Sequence, residues 1–136
     1  MCFAICGAIA LFGCDLDAER EQRVESARVL RAIQDLQSAN ADEKERARQA
    51  LRETACTNAE TCAARDACVR AYEFLDRSRR AARAAHGSLD ALDANADVFV
   101  AAKATRDAET YAEQFKTGAA RCLEARHRLE TANIPK

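Results

Sequence analysis

One proline stands in the whole 136-residue chain, and it is the penultimate residue, Pro135. Proline ends or kinks helices and is excluded from their interiors, so residues 1–134 carry no break of that kind. Glycine, the other strong helix breaker, occurs only four times. Ala, Arg and Glu, all good helix formers, dominate instead. No segment alternates apolar and polar residues for long enough to make a strand. The chain is therefore expected to be all-α, an up-down helical bundle of about four helices with a long helix three–helix four hairpin.

Helix one is expected from about Asp17 to Gln37, with Val29, Ile33 and Leu36 on one face and Val24, Ala27 and Leu30 widening it. Asn40-Ala-Asp-Glu43 has the form of a capping box, in which Asn40 accepts from a first-turn amide and Glu43 reaches back. Helix two then runs to about Cys56 and buries Ala47, Ala50, Leu51 and Thr54. Thr57-Asn-Ala-Glu60 repeats the pattern and opens helix three. Two such short joints make antiparallel neighbours.

Helix three carries Ala64, Cys68, Ala71, Leu75 and Ala82 at heptad spacing, with Tyr72 and Phe74 beside the seam. It stops near His86-Gly87, a plausible C-terminal stop, or continues to about Asp93. Helix four, from about Asn95 to Thr131, aligns Ala108, Tyr111, Phe115, Gly118, Cys122, Ala125 and Leu129 on one stripe, whose small residues admit a close helix approach. Glu19/Arg23, Glu73/Arg77, Asp76/Arg80 and Glu124/Arg128 are i,i+4 pairs in the favourable order. Helices three and four are the longer two, so their tip should project beyond the core.

The N-terminus has a different character. Residues 1–13 carry no charge, and the stretch from Phe3 to Phe12 is apolar apart from small residues. A membrane span needs about 20 apolar residues; this run has the length of a signal-peptide core. It ends in Leu11-Phe12-Gly13-Cys14. That run resembles the lipobox of bacterial lipoproteins, with no Lys or Arg before the apolar stretch and with Phe12 where a small residue is usual. The resemblance implies that residues 1–13 are a signal peptide and that Cys14 carries lipid. It also implies that residues 14–136 form a single helical domain, anchored in the cell envelope and facing the periplasm. Asp15 resembles the inner-membrane retention signal of enterobacterial lipoproteins.

Seven cysteines are present. On the lipoprotein reading Cys2 and Cys6 leave with the signal and Cys14 is acylated, so four of the seven remain: Cys56, Cys62, Cys68 and Cys122. An even number in an exported chain favours disulfides. Cys62 and Cys68 fall on different faces of one helix and cannot meet if it is intact. Cys56 and Cys62 flank the Thr57-Asn58 turn, whereas Cys68 and Cys122 lie on the facing stripes of helices three and four, equidistant from residue 95. The expected bridges are Cys56–Cys62 and Cys68–Cys122. The Cys spacings are longer than the C-x₂₋₄-C of structural zinc sites, and the C-x-x-C of thioredoxin-like redox motifs is absent. No metal site and no cofactor is expected.

Charge excludes one further class. Lys and Arg number 21 against 22 Asp and Glu, and a nucleic-acid binder needs a basic excess on one face. His86 sits at a helix end and His127 between two arginines, neither with a nucleophile at a spacing that favours catalysis. No Gly-rich phosphate loop, G-x-S-x-G or H-E-x-x-H occurs, so no enzyme is expected. Two features can mark a partner surface: the basic cluster Arg77, Arg79, Arg80 and Arg83, and the apolar triplet Val98-Phe99-Val100, which one helix face cannot wholly bury. The function these imply is a lipid-anchored structural or protein-interaction module with an unidentified protein partner. An alternative is a periplasmic inhibitor of a hydrolase, because Cys62-x₅-Cys68-x₃-Tyr72 resembles a segment of small helical, disulfide-bonded lysozyme inhibitors, though this chain lacks their tryptophan.

Overall fold

The structure, a computed structural model, describes residues 10–90 and 98–133, with side-chain detail for 17–88 and 98–133. It contains four helices in chain order: α1 (Ala10–Ser38), α2 (Lys44–Glu53), α3 (Ala59–Asp90) and α4 (Val98–Ala132). No strand occurs among the described residues. α3 and α4 form a long antiparallel hairpin, and α1 and the short α2 pack against it. The up-down bundle expected from the sequence is the fold.

The core follows the predicted stripes. Val29, Ile33 and Leu36 of α1 and Leu51 of α2 have no exposed surface, and they meet Ala64, Cys68, Ala71, Cys122 and Leu129 of the hairpin. Fully burying a Leu- or Ile-sized side chain stabilises by about 1.5–3 kcal/mol, so these few residues carry most of the apolar stabilisation. Gly118 allows α4 to approach α3 closely at Ala71. A Cβ built there would lie 3.1 Å from Ala71 Cα and 3.2 Å from Ala71 Cβ. Tyr72 and Phe115 meet edge to face just above, with ring centroids 5.9 Å apart.

Several boundaries and faces differ from the sequence reading, each for a local reason. α1 begins at Ala10 rather than near Asp17. Residues 1–9 of the expected signal peptide and the side chain of Cys14 lie outside the described residues. Val24 is 53% exposed and Ala27 is exposed too. From Asp17 on, the first buried side chain of α1 is that of Ser26, which faces Thr61 near the start of α3, and Asp17 to Val24 are exposed. α2 ends at Glu53, because Thr54 is extended (φ −64°, ψ 116°) and leads the chain toward the Cys56–Cys62 bridge. Ala50, expected inside, is exposed. α3 runs through Gly87 to Asp90. Leu92, Asp93 and Asn95, which the sequence places at the helix three–helix four turn, fall outside the described residues, as does the side chain of Leu89.

Candidate functional site

At one end of the bundle, α1 caps α3. The Glu25 carboxylate accepts from the Thr57 amide (2.8 Å), the Asn58 amide (2.8 Å) and the Thr57 hydroxyl (2.6 Å). Those bonds, the Thr57 hydroxyl foremost, hold the Glu25 carboxyl below the usual carboxylate range. Asn58, not Thr57, is the residue that caps the helix. Its Oδ1 accepts from the amides of Glu60 (3.0 Å) and Thr61 (3.1 Å), while Thr57 is committed to Glu25. Ser26 and Thr61 share a buried hydroxyl–hydroxyl bond of 3.0 Å. Beside this pair lies a cavity of about 210 Å³, lined also by Glu19, Arg23, Leu129 and Asn133. The two hydroxyls are bonded to each other and not to a base, so the arrangement supplies no activated nucleophile.

The α1–α2 joint also uses an asparagine. Asn40 Oδ1 accepts from the amides of Asp42 (3.1 Å) and Glu43 (3.0 Å), within the turn before α2. Glu43, the residue preceding the helix, makes no side-chain capping bond, so the expected capping box does not form. Lys44 Nζ donates to the carbonyls of Leu36 (2.8 Å) and Gln37 (3.1 Å), satisfying the C-terminal end of α1, and stands 5.3 Å from the Tyr72 ring centroid. Burial, with Arg79 nearby, pushes the Lys44 ammonium below the usual lysine range, and burial raises the Tyr72 phenol. These polar groups end helices; they do not converge on a reaction centre.

The cysteines pair as the spacing implies. Cys56 bridges Cys62 across the α2–α3 joint, and Cys68 bridges Cys122 through the core of the hairpin with Cα atoms 4.6 Å apart. Among the described residues, no group of three or more His, Cys, Asp or Glu is placed to hold a metal ion. His86 and His127 are both exposed, the latter 4.0 Å from Glu130.

The residues singled out as partner surfaces separate into different settings. Val98, Phe99 and Val100 open α4 at exposures of 66%, 84% and 53%, a solvent-facing apolar triplet. The four arginines do not share one face. Arg77 lies over the rings of Phe74 (6.0 Å) and Tyr111 (5.9 Å). Arg80 pairs with Asp76 as predicted, while Arg79 approaches Lys44, and Arg83 is exposed. Arg77 is free to stack because Glu73 turns instead to Arg48 and Arg52 of α2, so the expected Glu73/Arg77 pair is absent. Glu19–Arg23 (3.6 Å) and Glu124–Arg128 (3.4 Å) form as expected.

The sequence reading did not anticipate a groove of about 570 Å³ between α3 and α4. Arg70 and Arg121 flank it, with Ala67, Phe74 and Gly118 among its lining. Its residues occupy i,i+3/4 positions beside the core stripe of each helix, but which of these positions face each other depends on how α3 and α4 are rotated. Compared with known proteins, the chain matches no family model, and no curated protein or solved structure is significantly similar to it.

Proposed function

We propose that this chain is a non-enzymatic, lipid-anchored protein of the bacterial envelope, acting as a helical interaction module. Cys14 carries the lipid, and the far end of the α3–α4 hairpin offers Val98, Phe99 and Val100 to a protein partner. The observation that most supports this reading is the pairing of every cysteine beyond Cys14 into two bridges. Such pairing suits the oxidising compartment that a lipobox implies.

The geometry suits a spacer. Glu25 holds the start of α3, and Cys14 stands about 16 Å before that level at the helical rise. α3 then continues from that level in the same direction as α1 for about 48 Å. The apolar triplet would stand about 60 Å from the anchor. No helix among the described residues is long and apolar enough to cross a membrane, so attachment would fall to acyl chains, two of which hold stably.

The deciding experiment is an intact mass of the protein expressed in bacterial membranes, alkylated without reduction. A chain starting at Cys14 with added acyl mass and no alkylated thiol is expected. A chain starting at Met1 with free thiols overturns the proposal. For the distal surface, Phe99→Asp should fold normally and lose the captured partner; retention of every partner removes that surface from the proposal.

A further inference from the structure

The α3–α4 hairpin has a groove on each side. α1 fills one of them, laying Val29, Ile33 and Leu36 along Cys68, Cys122 and Leu129. The other is open. Its lining mixes small residues, Ala67 and Gly118, with the half-buried Phe74, and neither α1 nor α2 contributes to it. Arg70 on α3 and Arg121 on α4 rise from its two walls. They stand at one level, since Cys68 and Cys122 are bonded and Gly118 touches Ala71.

The charge of this groove is one-sided. Arg70 and Arg121 are exposed and make no ion pair or hydrogen bond among the described residues. The one acidic residue of the lining, Glu113, is engaged by Lys116 at 2.6 Å. Arg77, held over Phe74 and Tyr111, adds a third cation beside the Phe74 end. Steps of three or four residues along α4 from Arg121 lead through Thr117, Gln114, Thr110 and Asp107 to Lys103, so Lys103 lies on the face of Arg121 toward the tip. Lys103 is also exposed and makes no ion pair or hydrogen bond among the described residues.

We propose that this open groove docks an acidic amphipathic helix of a protein partner. The occupant's apolar stripe would rest on Ala67, Phe74 and Gly118, and its carboxylates would reach Arg70, Arg121 and Lys103. A helix suits the space because α1 already occupies the opposite groove of the same hairpin in that way, and helix-in-groove docking is read from i, i+3, i+4, i+7 anchors. A phosphate polymer would use the arginines and leave the apolar floor idle. The inference rests on the reading of the chain as an interaction module and adds to it the surface and the partner's chemistry. It does not require the lipid on Cys14.

The test is fluorescence anisotropy with the purified full chain and a labelled peptide of about 18 residues, Leu at the anchor spacing and Glu elsewhere. The ordered Glu peptide should bind about tenfold more tightly than its scramble, and R70E/R121E should weaken it about tenfold. T117W, which fills the groove from an exposed position, should abolish binding, while R46E on α2 leaves it unchanged. Thermal melts of each variant establish that it is folded. Equal affinity for the scramble, indifference to both R70E/R121E and T117W, or full displacement by polyphosphate would overturn the proposal. The intact-mass experiment is unaffected by any of these results, so the groove and the anchor fail separately.

Discussion

The two halves of the α3–α4 hairpin are made of the same residue types and are held by different means. In the proximal half, α1 and α2 cover the helices, Cys68–Cys122 crosses between them, and Gly118 packs on Ala71. In the distal half, Ala85 and Ala101 are the buried apolar residues among those described, and the helices are joined by contacts such as Ser78 Oγ donating to the Ala108 carbonyl at 2.9 Å. Alanine buries little area, and stabilisation scales with apolar area removed from water. A long helix of good formers therefore persists distally because the proximal half nucleates it. Stability should grade along the hairpin, with distal amides opening first. A rigid base and a yielding end suit a spacer that presents surfaces to partners.

The strongest way to break this contrast is to cut the proximal staple. Cys68–Cys122 closes a loop of about 55 residues, which the chain-entropy model values at about 4 kcal/mol. C68S/C122S should lower stability by about that amount, read by urea denaturation, and should accelerate amide exchange in both halves of α3 and α4. The shorter Cys56–Cys62 loop is worth about 2.4 kcal/mol in the same model. Loss of that bridge should loosen the α2–α3 joint while distal exchange stays near wild type. If the distal half survives C68S/C122S intact, it is not stabilised by the base.

Glu25 gives a smaller and pH-dependent probe of the base alone. Its three accepted hydrogen bonds favour the charged carboxylate, so its pKa is lower folded than unfolded. The stabilisation is present above the unfolded value and is lost as pH falls through the folded one. Glu25→Ala should cost about 2 kcal/mol at neutral pH. The gap from wild type should narrow as acid protonates Glu25, and a gap independent of pH would mean that Glu25 acts through packing. Distal amides should respond little, since the clamp holds Thr57 and Asn58 at the opposite end of α3.

Glu25 also marks where sequence reading stops. The core stripes, the number of helices and both disulfides were legible because each rests on a spacing within one helix or on a hairpin's symmetry. Thr57 was read as a cap because the pattern Thr-x-x-Glu is local. Its real partner lies 32 positions away in sequence, and Asn58 one step on does the capping. The Glu73/Arg77 pair failed for the same reason: α2 brought Arg48 and Arg52 to Glu73, and local order cannot foresee a neighbour. Val24 shows the complementary limit. It fits the apolar face of α1, yet it is 53% exposed, and the first buried side chain from Asp17 on is that of Ser26. Of the candidate surfaces, Val98-Phe99-Val100 was visible because three successive apolar residues exceed one helical face. The basic groove was not, because it needs the relative rotation of α3 and α4.

The sharpest comparison uses one substitution at two glycines. At Gly87, in the distal half, a Cβ meets nothing within 4 Å. Only the backbone effect remains, and replacing an exposed helical glycine by alanine stabilises by up to about 1 kcal/mol. At Gly118 the same gain is opposed by contact with Ala71 backbone and side chain at 3.1 and 3.2 Å. The helices cannot slide apart cheaply there, since Cys122 is four residues away and is bonded to α3. Overpacking costs about 1–3 kcal/mol, which exceeds the propensity gain. Gly87→Ala should raise the melting temperature and Gly118→Ala should lower it, each by a few degrees, from a net change of about 1 kcal/mol. The same sign at both sites would mean that the proximal packing yields as freely as the distal, and the difference between the halves would then rest on the disulfide alone.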